Sequence, residues 1–118
     1  MKILLIDDNE SITKSLSKYL GLKNYDCTVS NDGRNGLSLI QKNKFDVVLL
    51  DLSMPEFSGI DVLEALEKDG LLKKQKIILF TASSITQEEI ERLLKTGIHG
   101  CIRKPVRMPD LLKFLNDE

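Results

Sequence analysis

Short apolar runs in this chain end, one after another, at a polar side chain. Ile3-Leu4-Leu5-Ile6 stops at Asp7-Asp8, and Val47-Val48-Leu49-Leu50 stops at Asp51. Ile77-Ile78-Leu79-Phe80 stops at Thr81, and a shorter run around Ile102 stops at Lys104-Pro105. Runs of this length, rich in β-branched residues and leucine, read as strands buried on both faces, as a parallel sheet requires. An open parallel sheet takes its ligands in the crevice beyond the carboxyl ends of its strands. Four such strands deliver three carboxylates, one hydroxyl and one ammonium to a single edge. That set can hold a divalent cation and a phosphoryl group together.

Composition narrows the classes. The 118 residues are 42% hydrophobic and 30% charged, a balance that supports one folded domain over 1–118 rather than a disordered chain. A net charge of −1 gives no general attraction to nucleic acid or to an acidic membrane. No apolar stretch approaches the roughly 20 residues that span a bilayer, and no cleavable leader opens the chain, so a cytoplasmic location is expected. Cys27 and Cys101 have no metal-ligand spacing and read as free, partly buried thiols.

Strand and helix signals alternate five times. Asn9 or Ser11 caps a first helix with Ile12, Leu16, Tyr19 and Leu20 inward, and Gly21 marks its end. Residues 25–29 form a weaker second strand, and Asn31-Asp32-Gly33 supplies a turn and the next cap. A helix carrying Leu37, Leu39 and Ile40 leads to a third strand from Asp46 to Leu50. After Pro55 and Gly59 comes a helix with Ile60, Leu63 and Leu66 inward, then Leu71-Leu72-Lys73-Lys74 as a helix tail and solvated turn. Strand four runs from Lys76 to Phe80, and Thr86 with Glu89 forms a capping box for a helix bearing Ile90, Leu93 and Leu94. Gly97 stops that helix, a short strand covers Gly100 to Arg103, and a last helix from about Pro109 buries Leu111, Leu112 and Leu115. Five βα units imply an α/β sandwich, a parallel sheet with helices on both faces.

The chemistry follows from the residue types. Adjacent Asp7 and Asp8 face Asp51 across neighbouring strand ends, and such crowding of carboxylates implies a neutralising cation. All-oxygen donors favour a hard ion such as Mg²⁺. A carboxylate can act as nucleophile toward phosphorus, while Lys104 and Thr81 supply charge and a hydrogen bond to the transferring group. Taken singly, each residue has an ordinary reading as a cap, a strand end or a solvated charge. Their conjunction at corresponding strand ends carries the argument.

These segments resemble the receiver domain of two-component response regulators along the whole chain. The resemblance rests on Ile6-Asp7-Asp8, on Asp51-Leu52-Ser53-Met54-Pro55 with Gly59, on Phe80-Thr81-Ala82 and on Arg103-Lys104-Pro105, with Asn31-Asp32-Gly33 matching the family's second turn. It implies a (βα)5 flavodoxin-like sandwich with strand order 2-1-3-4-5, for which a chemotaxis receiver is a standard example. It further implies that Asp51 accepts a phosphoryl group from a phosphohistidine on a sensor histidine kinase or histidine phosphotransfer protein. Mg²⁺ would be held by Asp8, Asp51 and the Ser53 carbonyl, with Asp7 acting through water. Thr81 and Lys104 would bind phosphoryl oxygens, aided by main-chain N–H groups near Ser53 and Ala82, and Lys104-Pro105 would be cis. The chain would catalyse only its own phosphorylation and slow dephosphorylation, as a switch rather than an enzyme of metabolism. In that strand order Cys27 and Cys101 lie on opposite edge strands, about 19 Å apart, too far for a disulfide.

The sequence departs from the family in one place. Three residues before the lysine, where Tyr or Phe is usual, stands Cys101, too small to fill the same space. The Thr81 half of the switch is expected to persist without it. Ser53 and Ser83 stand two residues beyond Asp51 and Thr81, at positions that the resemblance implies would border the path of an attacking water, and His99 reads as a surface loop residue. Arg92, Lys95, Arg103, Arg107 and Lys113 are interspersed with acids, giving a mixed-charge face for an unknown downstream protein. Asp117-Glu118 ends the last helix without a linker, which favours a single-domain regulator over a receiver fragment with a DNA-binding or enzymatic output. An Mg²⁺-dependent phosphohydrolase using an aspartyl phosphate, and an inert pseudo-receiver, are the remaining readings.

Overall fold

The computed structural model describes residues 1–81, 85–105 and 107–116. Five strands, β1 (Lys2–Ile6), β2 (Asp26–Ser30), β3 (Val47–Asp51), β4 (Ile77–Thr81) and β5 (Gly100–Arg103), alternate with five helices. The helices are α1 (Glu10–Leu22), α2 (Gly33–Lys42), α3 (Gly59–Lys68), α4 (Gln87–Leu94) and α5 (Met108–Asn116). Every strand pair is parallel and the order is β2-β1-β3-β4-β5, so the flavodoxin-like α/β sandwich is the fold observed. No helix among the described residues is long and apolar enough to cross a membrane.

The unbroken apolar runs occupy the three central strands, where alternate side chains feed two separate cores. Leu4, Ile6, Val48, Leu50, Ile77 and Leu79 pack toward α2 and α3, while Ile3, Leu5, Val47, Leu49, Ile78 and Phe80 pack toward α1 and α5. Burial on both faces is why these strands carry no polar alternation. Edge strand β2 is less enclosed, and Cys27 and Cys101 sit half-buried and free on opposite edges.

β3 and β4 include Asp51 and Thr81, one residue beyond the expected ends. Asp51 pairs in register with Phe80, and Thr81 with Arg103, because the backbone ladder continues after the apolar side chains stop. β2 is likewise shifted one residue later than expected. Asn9, rather than Ser11, caps α1 by accepting from the Ser11 and Ile12 N–H groups. The capping boxes at Ser58–Asp61 and Thr86–Glu89 are formed, and Asp32 caps α2.

Four packing expectations are corrected. Ile60 is 39% exposed and Val62 takes the inner position, because the helix starts at Gly59 and its buried stripe reads Val62, Leu63 and Leu66. Leu72 is core rather than solvated turn: a short helical turn at Leu72–Lys74 tucks it against the α2–α3 side. Leu94 and Leu112 are also less buried than expected, at the margins of their stripes.

Gly21 does not end α1. The helix passes through it to Leu22, and Asn24 takes the left-handed conformation at φ 69°. The Tyr25 N–H then reaches the Leu20 oxygen and the Asn24 N–H reaches the Gly21 oxygen, a Schellman closure with asparagine in the place glycine usually holds. A methyl group on Gly21 would meet no atom within 4 Å. Gly21→Ala should therefore raise stability by about 0.5–1 kcal/mol, the ordinary difference between the two residues inside a helix. Urea denaturation checks this; a loss of stability would mean that Gly21 is the helix stop after all.

Candidate functional site

At the carboxyl edge of the sheet, Asp7 follows β1, Asp51 ends β3, Thr81 ends β4 and Lys104 follows β5. Asp7, Asp51 and Thr81 are almost wholly buried, whereas Asp8 and Ser53 are exposed. One carboxylate oxygen from each of Asp7, Asp8 and Asp51 lies within 4.8 Å of the others. Lys104 reaches into this group from the far side, its Nζ 3.0 Å from Asp7 Oδ2 and 3.4 Å from Asp51 Oδ1. The Lys104–Pro105 peptide is cis, as expected. All six expected site residues thus fall at one edge, while Ala82 and Ser83 lie outside the described residues.

The aspartates differ in their surroundings. Both Asp7 oxygens are engaged, Oδ1 by the Asn9 N–H at 2.9 Å and Oδ2 by Lys104. Asp51 Oδ1 accepts from the Ser53 N–H at 3.2 Å. Asp8, facing solvent, is placed to lend its carboxylate to a ligand from outside. The trio fits a hard divalent cation such as Mg²⁺ by donor type and by spacing, and such an ion commonly keeps several waters beside one or two carboxylates.

Gly59 lets α3 start directly behind the carboxyl end of β3. A Cβ there would collide with the Asp51 carbonyl oxygen and stand 2.7 Å from the Leu52 Cα. The Gly59 N–H donates to the Leu52 oxygen, which fixes how the loop carrying Ser53 returns to the helix. Asn31 has a role that its turn-forming character concealed. Its side-chain amide donates to the Asp7 main-chain oxygen at 2.8 Å and to Thr13 Oγ1 at 3.0 Å, bracing the loop that presents Asp7 and Asp8. Thr13, a polar residue inside an otherwise apolar helix stripe, was the available signal.

Thr81 Oγ1 is buried and has no hydrogen-bond partner among the described residues. Leaving a hydroxyl so costs free energy unless a ligand supplies the bond. The nearby Cys101 thiol does not meet hydrogen-bond geometry with it; burial pushes that thiol's pKa up, while the Thr81 hydroxyl and the Arg103 charge draw it back. His99 is exposed and donates its main-chain N–H to the Ile77 oxygen, away from the site.

Burial, then the Asp7 charge, push the Asp51 pKa from the ordinary 3.8 up to about 6, against the opposing pull of Lys104 and the Ser53 N–H. Lys104 moves up as well: burial alone would lower it, but its hydrogen bond to Asp7 and the Asp51 and Asp7 charges outweigh that. The folded chain therefore holds the Asp51 proton more tightly than the unfolded chain does. That contribution is fully present below about pH 3.8 and is lost as pH rises through about 6. Without divalent cation at pH 7.5, Asp51→Asn should gain about 1–2 kcal/mol over wild type, a figure reduced for partial solvent screening. The gain should shrink toward zero near pH 4, as paired urea titrations would reveal. An equal gap at both pH values would contradict the assignment.

The comparisons with known proteins agree with this geometry. A response regulator receiver domain model matches residues 3–116. The sensor histidine kinase RcsC of Salmonella typhimurium is 34% identical over 113 residues, covering 96% of this chain and 12% of that protein. The chain thus spans a small part of such kinases. Chemotaxis protein CheY-3 of Vibrio cholerae is 35% identical, over 98% of this chain and 89% of CheY-3. The receiver domain of the Francisella response regulator 1452 superposes with a TM-score of 0.88 at 30% identity, covering 98% of this chain and 93% of the other. The chain belongs to the response regulator receiver domain family of two-component signal transduction.

Proposed function

We propose that Asp51 accepts a phosphoryl group from a phosphohistidine on a sensor histidine kinase or histidine phosphotransfer protein. The observation that carries this is the pairing of a buried strand-end carboxylate with Lys104 at 3.4 Å and, on the next strand, a buried Thr81 hydroxyl with no hydrogen-bond partner among the described residues. An Asp51 oxygen attacks phosphorus, the P–N bond breaks, and its electron pair leaves with the imidazole. Lys104 holds Asp51 ionised and then neutralises the phosphoryl oxygens, while Thr81 donates to one of them. Positioning and charge compensation are most of what this reaction asks of a protein.

Asp8, Asp51 and the Ser53 carbonyl would hold Mg²⁺, with Asp7 contributing through water. When bound, the cation would offset charge on the transferring group. The chain would catalyse only its own phosphorylation and its later hydrolysis by water, in the cytoplasm, and would signal through α4, β5 and α5 to a downstream protein, without contacting nucleic acid or entering a membrane. The small share of RcsC that the chain spans favours a second reading, in which it serves as a receiver module of a longer kinase or regulator.

Intact mass after incubation with Mg²⁺ and acetyl phosphate tests the assignment. Wild type should gain one phosphoryl group only when Mg²⁺ is present, and Asp51→Asn should gain none. Lys104→Met should slow the reaction about a hundredfold, the usual loss when a charge-stabilising donor is removed. A well-folded wild type that takes no group from acetyl phosphate or from a phosphorylated kinase would sink the proposal. Multiple turnover of a small phosphate ester would point to a phosphohydrolase instead.

A further inference from the structure

Arg103, exposed at the carboxyl end of β5, donates from Nη1 to the main-chain oxygen of Ile85 at 2.6 Å. Ile85 directly precedes Thr86, the residue whose side chain caps α4. Arg103 also lies opposite Thr81 in the β4–β5 register, and the next residue, Lys104, donates its main-chain N–H to the Thr81 oxygen at 2.7 Å. Two consecutive residues of one strand end therefore grip both Thr81 and the start of α4.

We propose that Arg103 is a positioning residue for the phosphoryl switch: its bond to the Ile85 oxygen holds the start of α4 in the unphosphorylated arrangement and so resists the approach of Thr81 to a phosphoryl group on Asp51. This deepens the Asp51 assignment and rests on it. The Thr81 hydroxyl is buried and has no hydrogen-bond partner among the described residues, so a phosphoryl oxygen on Asp51 would supply the bond it lacks. The β4–β5 ladder that pairs Thr81 with Arg103, and the Lys104 N–H on the Thr81 oxygen, tie a movement of Thr81 to the strand end that holds Ile85. A guanidinium–carbonyl bond is short and directional, and it weakens steeply once its geometry is disturbed. Because Arg103 faces solvent, the grip is modest. The bland alternative is a solvated surface arginine whose bond to Ile85 has no bearing on the site.

The two are separated by the rate of phosphorylation from acetyl phosphate at saturating Mg²⁺, in wild type, Arg103→Ala and Arg103→Lys. Mg²⁺ affinity by calorimetry and the urea midpoint are measured alongside. Arg103→Ala should react about threefold faster, the scale of one exposed charge-assisted hydrogen bond. Arg103→Lys keeps the positive charge and one donor, so its rate should fall between the two and separate loss of the bond from loss of a cation. Mg²⁺ affinity should not change, since Arg103 is outside the carboxylate cluster. A rate for Arg103→Ala equal to or below that of wild type overturns the proposal while leaving the Asp51 assignment intact. So does a rate change that merely tracks a change in Mg²⁺ affinity. A wild type that takes no phosphoryl group brings down both.

Discussion

Like charges held together in a buried place are the constraint around which this molecule is arranged. Three carboxylates with oxygens within 4.8 Å of one another repel, and burial of Asp7 and Asp51 at strand ends removes water that would screen that pair, while Asp8 stays exposed. The only cation drawn into the group among the described residues comes from Lys104, at the end of the last strand, so the full five-stranded order is needed to bring it home. β4 separates β3 from β5 and provides the Thr81 hydroxyl at the position between Asp51 and Lys104. The sheet thus serves as a ruler that sets distances among groups from residues 7 to 104. The raised pKa of Asp51 records what remains uncompensated.

The three aspartates divide the work according to where the backbone leaves them. Asp7 is tied at both oxygens, by a main-chain N–H and by Lys104, and acts as a fixed charge. Asp8 points outward and remains available. Asp51 has one oxygen held by Ser53 and Lys104, which orients the carboxylate without enclosing it. Chemistry of this kind asks little of side-chain basicity and much of alignment, and alignment is what a rigid parallel sheet supplies.

Much of this was legible because two independent signals coincide: apolar runs that mark buried strands, and polar residues at the same end of each. Asp7, Asp8, Asp51, Thr81 and Lys104 could be grouped before any coordinates were known. What escaped notice depends on contacts between segments distant in sequence. Asn31 was legible as a turn residue, but its amide bonds to the Asp7 loop and Thr13 depend on how β1 and β2 pair. Leu72 looked like part of a solvated tail because two lysines follow it, yet one helical turn is enough to point it inward. Gly21 mimicked a helix stop because glycine is common there, while Asn24 could do the same work. Strand ends were misplaced by one residue because a ladder is made by backbone groups, which do not register the change from apolar to polar side chains.

An all-parallel sheet also segregates its turns. Every connection from a strand to the next helix gathers at the reactive edge, and every return from a helix to the next strand gathers at the opposite one. The returns hold Asn24, Gly70 and Gly97 in positive-φ conformations and the Gln75 side chain clamped to both main-chain groups of Phe45. None of these residues touches the carboxylates. The two edges are therefore under different demands: one must keep the carboxylates, the hydroxyl and the lysine aligned, while the other can lengthen, shorten or acquire new surface with that alignment undisturbed. The fold thus keeps its cluster of reactive groups on one rim and its tolerance for added length on the other.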